Sequence, residues 1–385
     1  LAWLAAHPDL FQLEVRHGWA AVWPWLIGPL VVSLATAGWC RGVLAASGAP
    51  TPQFASCHLS AGVAHSTTTE LSHDNSKRLR LLLDRALQPV EKFNGFERRD
   101  QFQTAALRYQ VNFMSYALAF AQVRHAPAAS AYFADAQDRL LTKIGDRRLW
   151  TYWGLENAWG NLRIGRDPVA RQNIMYSGFT TLQMALGGGE TLVLHASQSP
   201  VHSHGLGELA ELLASQYRSS RYGLLDCEPN WIYPLCNLIT MVGIKAADSR
   251  LGSNRWESLA EPFLDALVRE GLRDDGTFIA FRSSLTGIAP PAPGGIVMQA
   301  FPCLFLNALS PEMAGHQWRL VRQRLDHGSW KRLFWPVDVG NYAFSRASSY
   351  AATAAAAVEM GDEEVASECL RRLDEECPSH ELAGA

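Results

Sequence analysis

No basic excess is present in this 385-residue chain: 34 Lys plus Arg stand against 37 Asp plus Glu, a formal charge of −3. A nucleic-acid binder would show the opposite imbalance, so that class is excluded. Cysteine is sparse, seven in all, and the low, odd count excludes a disulfide scaffold. There is no Asn-x-Ser/Thr sequon to mark a glycosylated surface. Gly-x-Ser-x-Gly is also missing, which removes the α/β-hydrolase nucleophile elbow. The run Gly187 to Gly189 has no strand signal before it and no Lys-Ser/Thr after it, so it is not a phosphate loop. What the chain does have is aromatic bulk: 13 Trp, 16 Phe and 10 Tyr, within 48% hydrophobic residues. That composition belongs to a packed protein, not a disordered one.

Between Arg16 and Arg41 the chain carries 24 residues without a formal charge. About 20 apolar residues suffice to cross a bilayer, and Trp19, Trp23, Trp25 and Trp39 sit towards the two ends, as interface aromatics do. Residues 1–45 are therefore expected to form an apolar, membrane-inserted segment. A buried hairpin broken at Pro24 and Pro29 is the competing reading. Membrane association rests on this stretch alone. Residues 46–76 are rich in Ser, Thr, Ala and His and read as a linker.

From Lys77 to the end, apolar residues recur at i, i+3, i+4 in segment after segment. LRLLLDRALQPV, QTAALRYQVNFMSYALAFAQV, IMYSGFTTLQMAL and WESLAEPFLDALVREG are examples. Strand signals are scarce, and TFIAF after the turn Asp274–Gly276 is the best of them. An all-α domain over 77–385 is expected: a bundle, a solenoid or a closed toroid of helical hairpins. The stretches 145–172 and 285–297 read as long loops, where function collects on a helical scaffold.

The stretch DCEPNWIYPLCN, Asp226 to Asn237, sets two cysteines nine residues apart. With Cys236 in a helix and Cys227 on the loop entering it, both thiols can face one cavity. Zinc does not fit, because there is neither C-x2-C spacing nor a His pair beside it. A disulfide or two ordinary buried cysteines remain alternatives. In RDPVARQNIMYSGFTTLQM, a Pro-containing turn leads into a helix on which Met175 and Phe179 share a face. His195, His202 and His204, in HASQSPVHSHG, read as a polar surface loop, not a metal site. His58, His65 and His73 read the same way. Asp338 and Tyr342 read first as packing residues.

Taken together, NIMYSG followed by CEPNWIYPLCN resembles the linalool dehydratase/isomerase family, whose motifs read NIMYxGH and CEPxxxxxxCN. ALRYQVNFMSYALAF, VREGLRDDGTFIAF and YAATAAAAVEMGDEE are similar to its flanking helices, so the likeness spans roughly residues 80–375. The resemblance implies an (α/α)6 barrel, a cofactor-free reaction with no metal, and a homo-oligomer with its site near a subunit interface. It implies loss of water from an allylic alcohol, or isomerisation by water return, on a small apolar, terpenoid-like substrate. Carried over residue by residue, it makes Cys227 and Cys236 the acid–base pair and Tyr109 the group that orients the substrate oxygen. Asp84 takes the place of an aspartate supplied by a neighbouring subunit.

Met175 matches the family's methionine, but Phe179 stands where the family has its catalytic histidine. Glu91 stands at a family tyrosine, and a second pocket tyrosine falls near Met298 or Phe301. The expectation is thus a rewired site in which Glu91 shares proton transfer. Phe179, Trp231, Met298 and Phe301 would line an apolar wall beside Glu228. Three functions remain open: a lyase/isomerase on an alkene-bearing alcohol or epoxide, a natural-product cyclase, and a non-enzymatic toroid that binds an apolar ligand.

Overall fold

The computed structural model describes residues 70–96, 106–196, 199–289, 295–328, 330–334 and 345–378. The apolar segment, residues 46–69 of the linker with His58 and His65, and Asp338 and Tyr342 lie outside them. Among the described residues no helix is long and apolar enough to cross a membrane.

The chain is mostly helical. In order it forms α1 (His73–Ala86), α2 (Ala106–His125), α3 (Ser130–Ile144), α4 (Arg147–Trp150), α5 (Tyr152–Asn161) and α6 (Ile174–Gly187). A hairpin β1 (Thr191–Ala196) and β2 (Ser199–Gly205) precedes α7 (Leu206–Ser219). Then come β3 (Trp231–Ile232), α8 (Pro234–Leu251), α9 (Arg255–Gly271) and β4 (Arg282–Ser283). The chain continues with α10 (Val297–Leu309), α11 (Pro311–His327), α12 (Trp330–Leu333), α13 (Ala347–Glu359) and α14 (Glu363–Glu376).

Local chemistry accounts for the boundaries. Ser72, Asp146, Ser310 and Asp362 cap α1, α4, α11 and α14 by accepting a backbone N–H of the first turn. Ser72 starts α1 at His73, four residues inside the stretch read as linker. Pro234 and Pro311 occupy first-turn positions, where a missing N–H costs nothing. Gly252 ends α8 at φ +66°, a conformation that disfavours any side chain.

Two sequence expectations need correction. The polar stretch containing His195, His202 and His204 is an antiparallel hairpin, with Thr191 opposite Gly205. Its signal is the alternation of β1, where Leu192 and Leu194 are buried; β2 is polar because little covers it. Conversely, TFIAF forms no strand of its own: Phe278 makes a single bridge to Leu272, and the short strand is the following Arg282–Ser283.

Among the described residues the core falls into three apolar clusters. The first joins α6, α8, α9 and α10 and includes Met175, Phe179, Cys227 and Cys236. Helices α6 and α8 approach closely because Gly178 and Gly243 lie in their contact. A Cβ on Gly178 would meet Thr240 Oγ1 at 2.0 Å, and one on Gly243 would meet the backbone N of Leu182 at 3.0 Å. This contact carries the two motif segments into one place.

Candidate active site

The segment from Asp226 to Asn237 is a tight turn, a two-residue strand and a helix start. Trp231 N–H donates to Glu228 O at 2.9 Å, with Asn230 at φ +72°. Pro at the second and Asn at the third position suit this turn, since Asn tolerates the left-handed region. Asn230 Nδ2 also donates to Gly160 O at 2.8 Å, tying the turn to α5. Strand β3 pairs with β4, and Pro234 opens α8, placing Cys236 in its first turn.

Asn237 holds this arrangement together. Fully buried, it donates through Nδ2 to Leu225 O and Tyr233 O, both at 2.9 Å. Its Oδ1 accepts from Leu225 N–H at 2.7 Å and from Tyr217 Oη at 2.9 Å. One amide thus fixes both ends of the loop that carries Cys227 to the helix that carries Cys236.

The result is two free, buried thiols whose Sγ atoms lie 2.8 Å apart, Cys227 donating to Cys236. Burial pushes the Cys227 thiol well above its ordinary range; the bond to Cys236 and the charges of Cys236 and Glu228 reinforce this, and Arg108 opposes it. Cys227 is therefore a neutral thiol at physiological pH.

An aromatic wall stands in the same cluster. Tyr109 Oη donates to Met175 Sδ at 3.8 Å, and its ring centre lies 5.8 Å from that of Phe179. Phe113 lies 6.2 Å from Phe179 and 5.9 Å from Phe301. Burial raises the Tyr109 phenol well above 10; Arg108 lowers it, while the thiols and Glu228 push it further up. The phenol is thus a neutral hydrogen-bond donor.

Several predicted residues sit elsewhere. Trp231 is 37% exposed and packs edge-on against Phe281, at the rim and not in the wall. Met298 is half-buried, one turn before Phe301 on α10. Asp84 is exposed on α1, 3.8 Å from Arg80, so a single chain does not bring it to the thiols. Glu91 is exposed too, its backbone carbonyl accepting from Arg148 Nη1 at 2.9 Å. The turn holding it is organised by Lys143, which donates to the carbonyls of Pro89, Val90 and Lys92.

The stretch expected as a loop from residue 145 to 172 contains α4 and α5, and α5 supplies polar groups that the sequence did not single out. Tyr152 and Glu156 share a face one turn apart. Arg108, fully buried on α2, donates to Tyr152 Oη at 2.5 Å, and that hydroxyl donates to Asn173 Oδ1 at 3.1 Å. Burial pushes the Glu156 carboxyl up to about 8; Glu228 adds to the rise and Arg108 opposes it. Glu228 is half-buried, and its field reaches Tyr109, Tyr152, Glu156, Cys227 and Tyr233. The only hint in the sequence was the apolar context of a lone Arg in ALRYQVNF.

Among the described residues no cluster of His, Cys, Asp and Glu is suited to a metal ion. A surface groove lined by Glu211, Arg218, Arg255 and Glu257 shares no residue with the thiol site, and Glu211 pairs there with both arginines.

A linalool dehydratase/isomerase family model matches residues 108–187 and 190–385, and both motif segments fall inside these spans. The paired thiols, the Met175 face and the match over most of its length agree: the chain belongs to the linalool dehydratase/isomerase family.

Proposed function

We propose that this protein is a cofactor-free acid–base lyase/isomerase acting on a terpenoid or other alkene-bearing alcohol or epoxide, built on an (α/α)6 barrel. The observation that carries the reading is the pair of free, buried thiols 2.8 Å apart in a cluster with an aromatic wall. Cys227 gives its proton to the departing oxygen, the C–O bond breaks and water leaves. The thiolate charge is shared with Cys236, and a proton from the neighbouring carbon returns to the pair. Alcohol becomes alkene plus water, with no change in oxidation state. Water return at the other allylic carbon gives isomerisation instead. Tyr109 orients the oxygen, and the faces of Phe113, Phe179 and Phe301 shield developing positive charge from solvent. In this reading Asp84, exposed on α1, serves a neighbouring copy in a homo-oligomer and not its own thiols.

Cyclisation is the second reading, favoured by the unbroken aromatic lining and by Phe179 in the histidine's place. There an epoxide or alkene is protonated, the ring closes, and a proton from a carbon beside the resulting cation returns to the thiol pair, without loss of water. Turnover of a panel of acyclic terpenoid alcohols and epoxides, followed by mass spectrometry with and without reductant, tests both. A thiol-dependent product lighter by one water supports the lyase, and an isobaric one supports isomerisation or ring closure. Conversion unaffected by thiol alkylation would overturn the cysteine mechanism.

A further inference from the structure

Arg108 lies next to the thiol site in an arrangement that proton transfer between the cysteines does not require. It is fully buried, and its guanidinium carbon lies 4.6 Å from the centre of the Tyr109 ring and 5.3 Å from that of Tyr152. Nη1 is taken by Tyr152, but Nε and Nη2 are buried with no acceptor. Oε2 of Glu156 is likewise buried without a partner. A guanidinium cannot discharge itself by losing a proton, so burying one without its hydrogen bonds is costly unless something completes them.

The groups whose fields act on it are Tyr152, Tyr109, Cys227 and Glu156. Burial keeps the first three neutral, and Glu156, with its carboxyl near 8, is protonated at neutral pH. Glu156 and Arg108 therefore present donors to one region beside Cys227, while Tyr152, its own proton given to Asn173, holds Arg108 Nη1. A fixed cation there would also oppose the positive charge developing on an allylic substrate, unless the substrate brings a compensating charge.

We propose that Arg108 and Glu156, with Tyr152 holding the guanidinium in place, form a carboxylate-binding end of the site, so that the substrate is an unsaturated acid whose reacting carbons extend towards Cys227. The inference rests on the thiol pair being the reacting centre. Arg108 Nε and Nη2 offer the two-pronged geometry that a carboxylate accepts, and protonated Glu156 donates a third hydrogen bond. Above pH 8 Glu156 ionises, with Glu228 favouring its neutral form and Arg108 its charged form, and then repels the ligand.

Calorimetric titration of the full chain with geranic acid and geraniol, which share a carbon skeleton, tests this. At pH 7 the acid is expected to bind at least tenfold more tightly, and R108M to abolish that preference. The acid's affinity should fall several-fold between pH 7 and 9 in the wild type and stay level in E156Q. Equal binding of acid and alcohol by the wild type overturns the proposal, as does a preference that persists in folded R108M. If R108M does not fold, the wild-type comparison and E156Q decide the matter. C227A separates the two readings: it keeps the acid preference if the pocket is as described, whatever its turnover. Loss of turnover in C227A without any acid preference in the wild type leaves the thiol mechanism standing and removes the pocket.

Discussion

Gly178 on α6 faces Thr240 on α8 so closely that a Cβ at 178 would lie 2.0 Å from the threonine Oγ1. That hydroxyl is itself engaged, donating to Cys236 O at 2.7 Å. The packing of two helices and the seating of a reactive cysteine therefore share one contact. Gly178→Ala is expected to cost about 1–3 kcal/mol by overpacking and to lower activity out of proportion to stability. Thermal melts and kcat for G178A and for G178A/T240A check this; the second variant should recover part of both.

Replacing either Cys227 or Cys236 by Ala is expected to abolish turnover and leave the melting temperature within a few degrees of wild type. Both are buried, but the substitution removes one small atom from a cluster that holds many larger groups. Full activity in both variants would refute the acid–base assignment.

Asn237→Ala should be among the more destructive single changes. It deprives Leu225 N–H and Tyr217 Oη of an acceptor and Leu225 O of a donor in a buried setting, while Tyr233 O keeps the backbone N–H of residue 237. Each stranded group costs about 1–3 kcal/mol, so a loss of roughly 3 kcal/mol or more is expected in denaturant unfolding. Asn237→Asp, which keeps the acceptor and loses the donor, should lie between.

Glu156 gives the stability a definite pH dependence. Its carboxyl titrates near 8 in the folded chain and near 4.5 when exposed, so the folded state holds more protons between these values. The contribution of neutral Glu156 is fully present below about 4.5 and is lost as pH rises through 8. Melting temperatures of the wild type and E156Q should run parallel at low pH, and the variant should gain on the wild type up to about pH 8. Parallel curves across the whole range would show that Glu156 is not held neutral.

The hairpin carries a second pH-dependent link. His204 Nε2 lies 3.2 Å from Asp167 in the segment that leads into α6. The Asp167 carboxylate raises the imidazole above 6.5, and Asp167 is itself held below its ordinary value: burial opposes this, but His204 and the Val169 N–H outweigh it. The histidine's share of stability is present below about 6.5 and is lost as pH rises past its raised value. The aspartate's share is present above about 3.8 and is lost on acidification. In H204A the melting temperature should fall most near pH 5 to 6 and least above pH 8, as scanning calorimetry across that range would show.

Helix existence was readable because amphipathic segments such as WESLAEPFLDALVREG keep one apolar stripe. The nine-residue spacing across a loop and the first turn of a helix allowed Cys227 to meet Cys236, and the family resemblance implied the pair. The polar half of the site was not readable. Tyr152 and Glu156 lie on α5, whose GLENAWGN shows no apolar period, and the only sign of Arg108 was the apolar context of ALRYQVNF. Whether an arginine is solvated or buried depends on what packs over it, which periodicity does not report. Asn237 stood inside the motif, yet its four-way hydrogen bonding depends on where Leu225 and Tyr217 come to rest. Glu91 failed to reach the thiols for a similar reason: Lys143 draws the backbone of its turn towards α3 and leaves the carboxylate outside.

Tyr116 Oη donates to the backbone carbonyl of Phe179 at 2.8 Å and makes no demand on the side chain there. The main chain at 179 is anchored whatever residue occupies it. This gives the chain a position at which the side chain can be exchanged without loss of that anchor. A histidine or a phenylalanine can stand on the same fixed peptide, one bringing a titratable ring and the other an apolar one. In this chain a change at residue 179 therefore alters the chemistry of the wall while the peptide that carries it keeps its anchor.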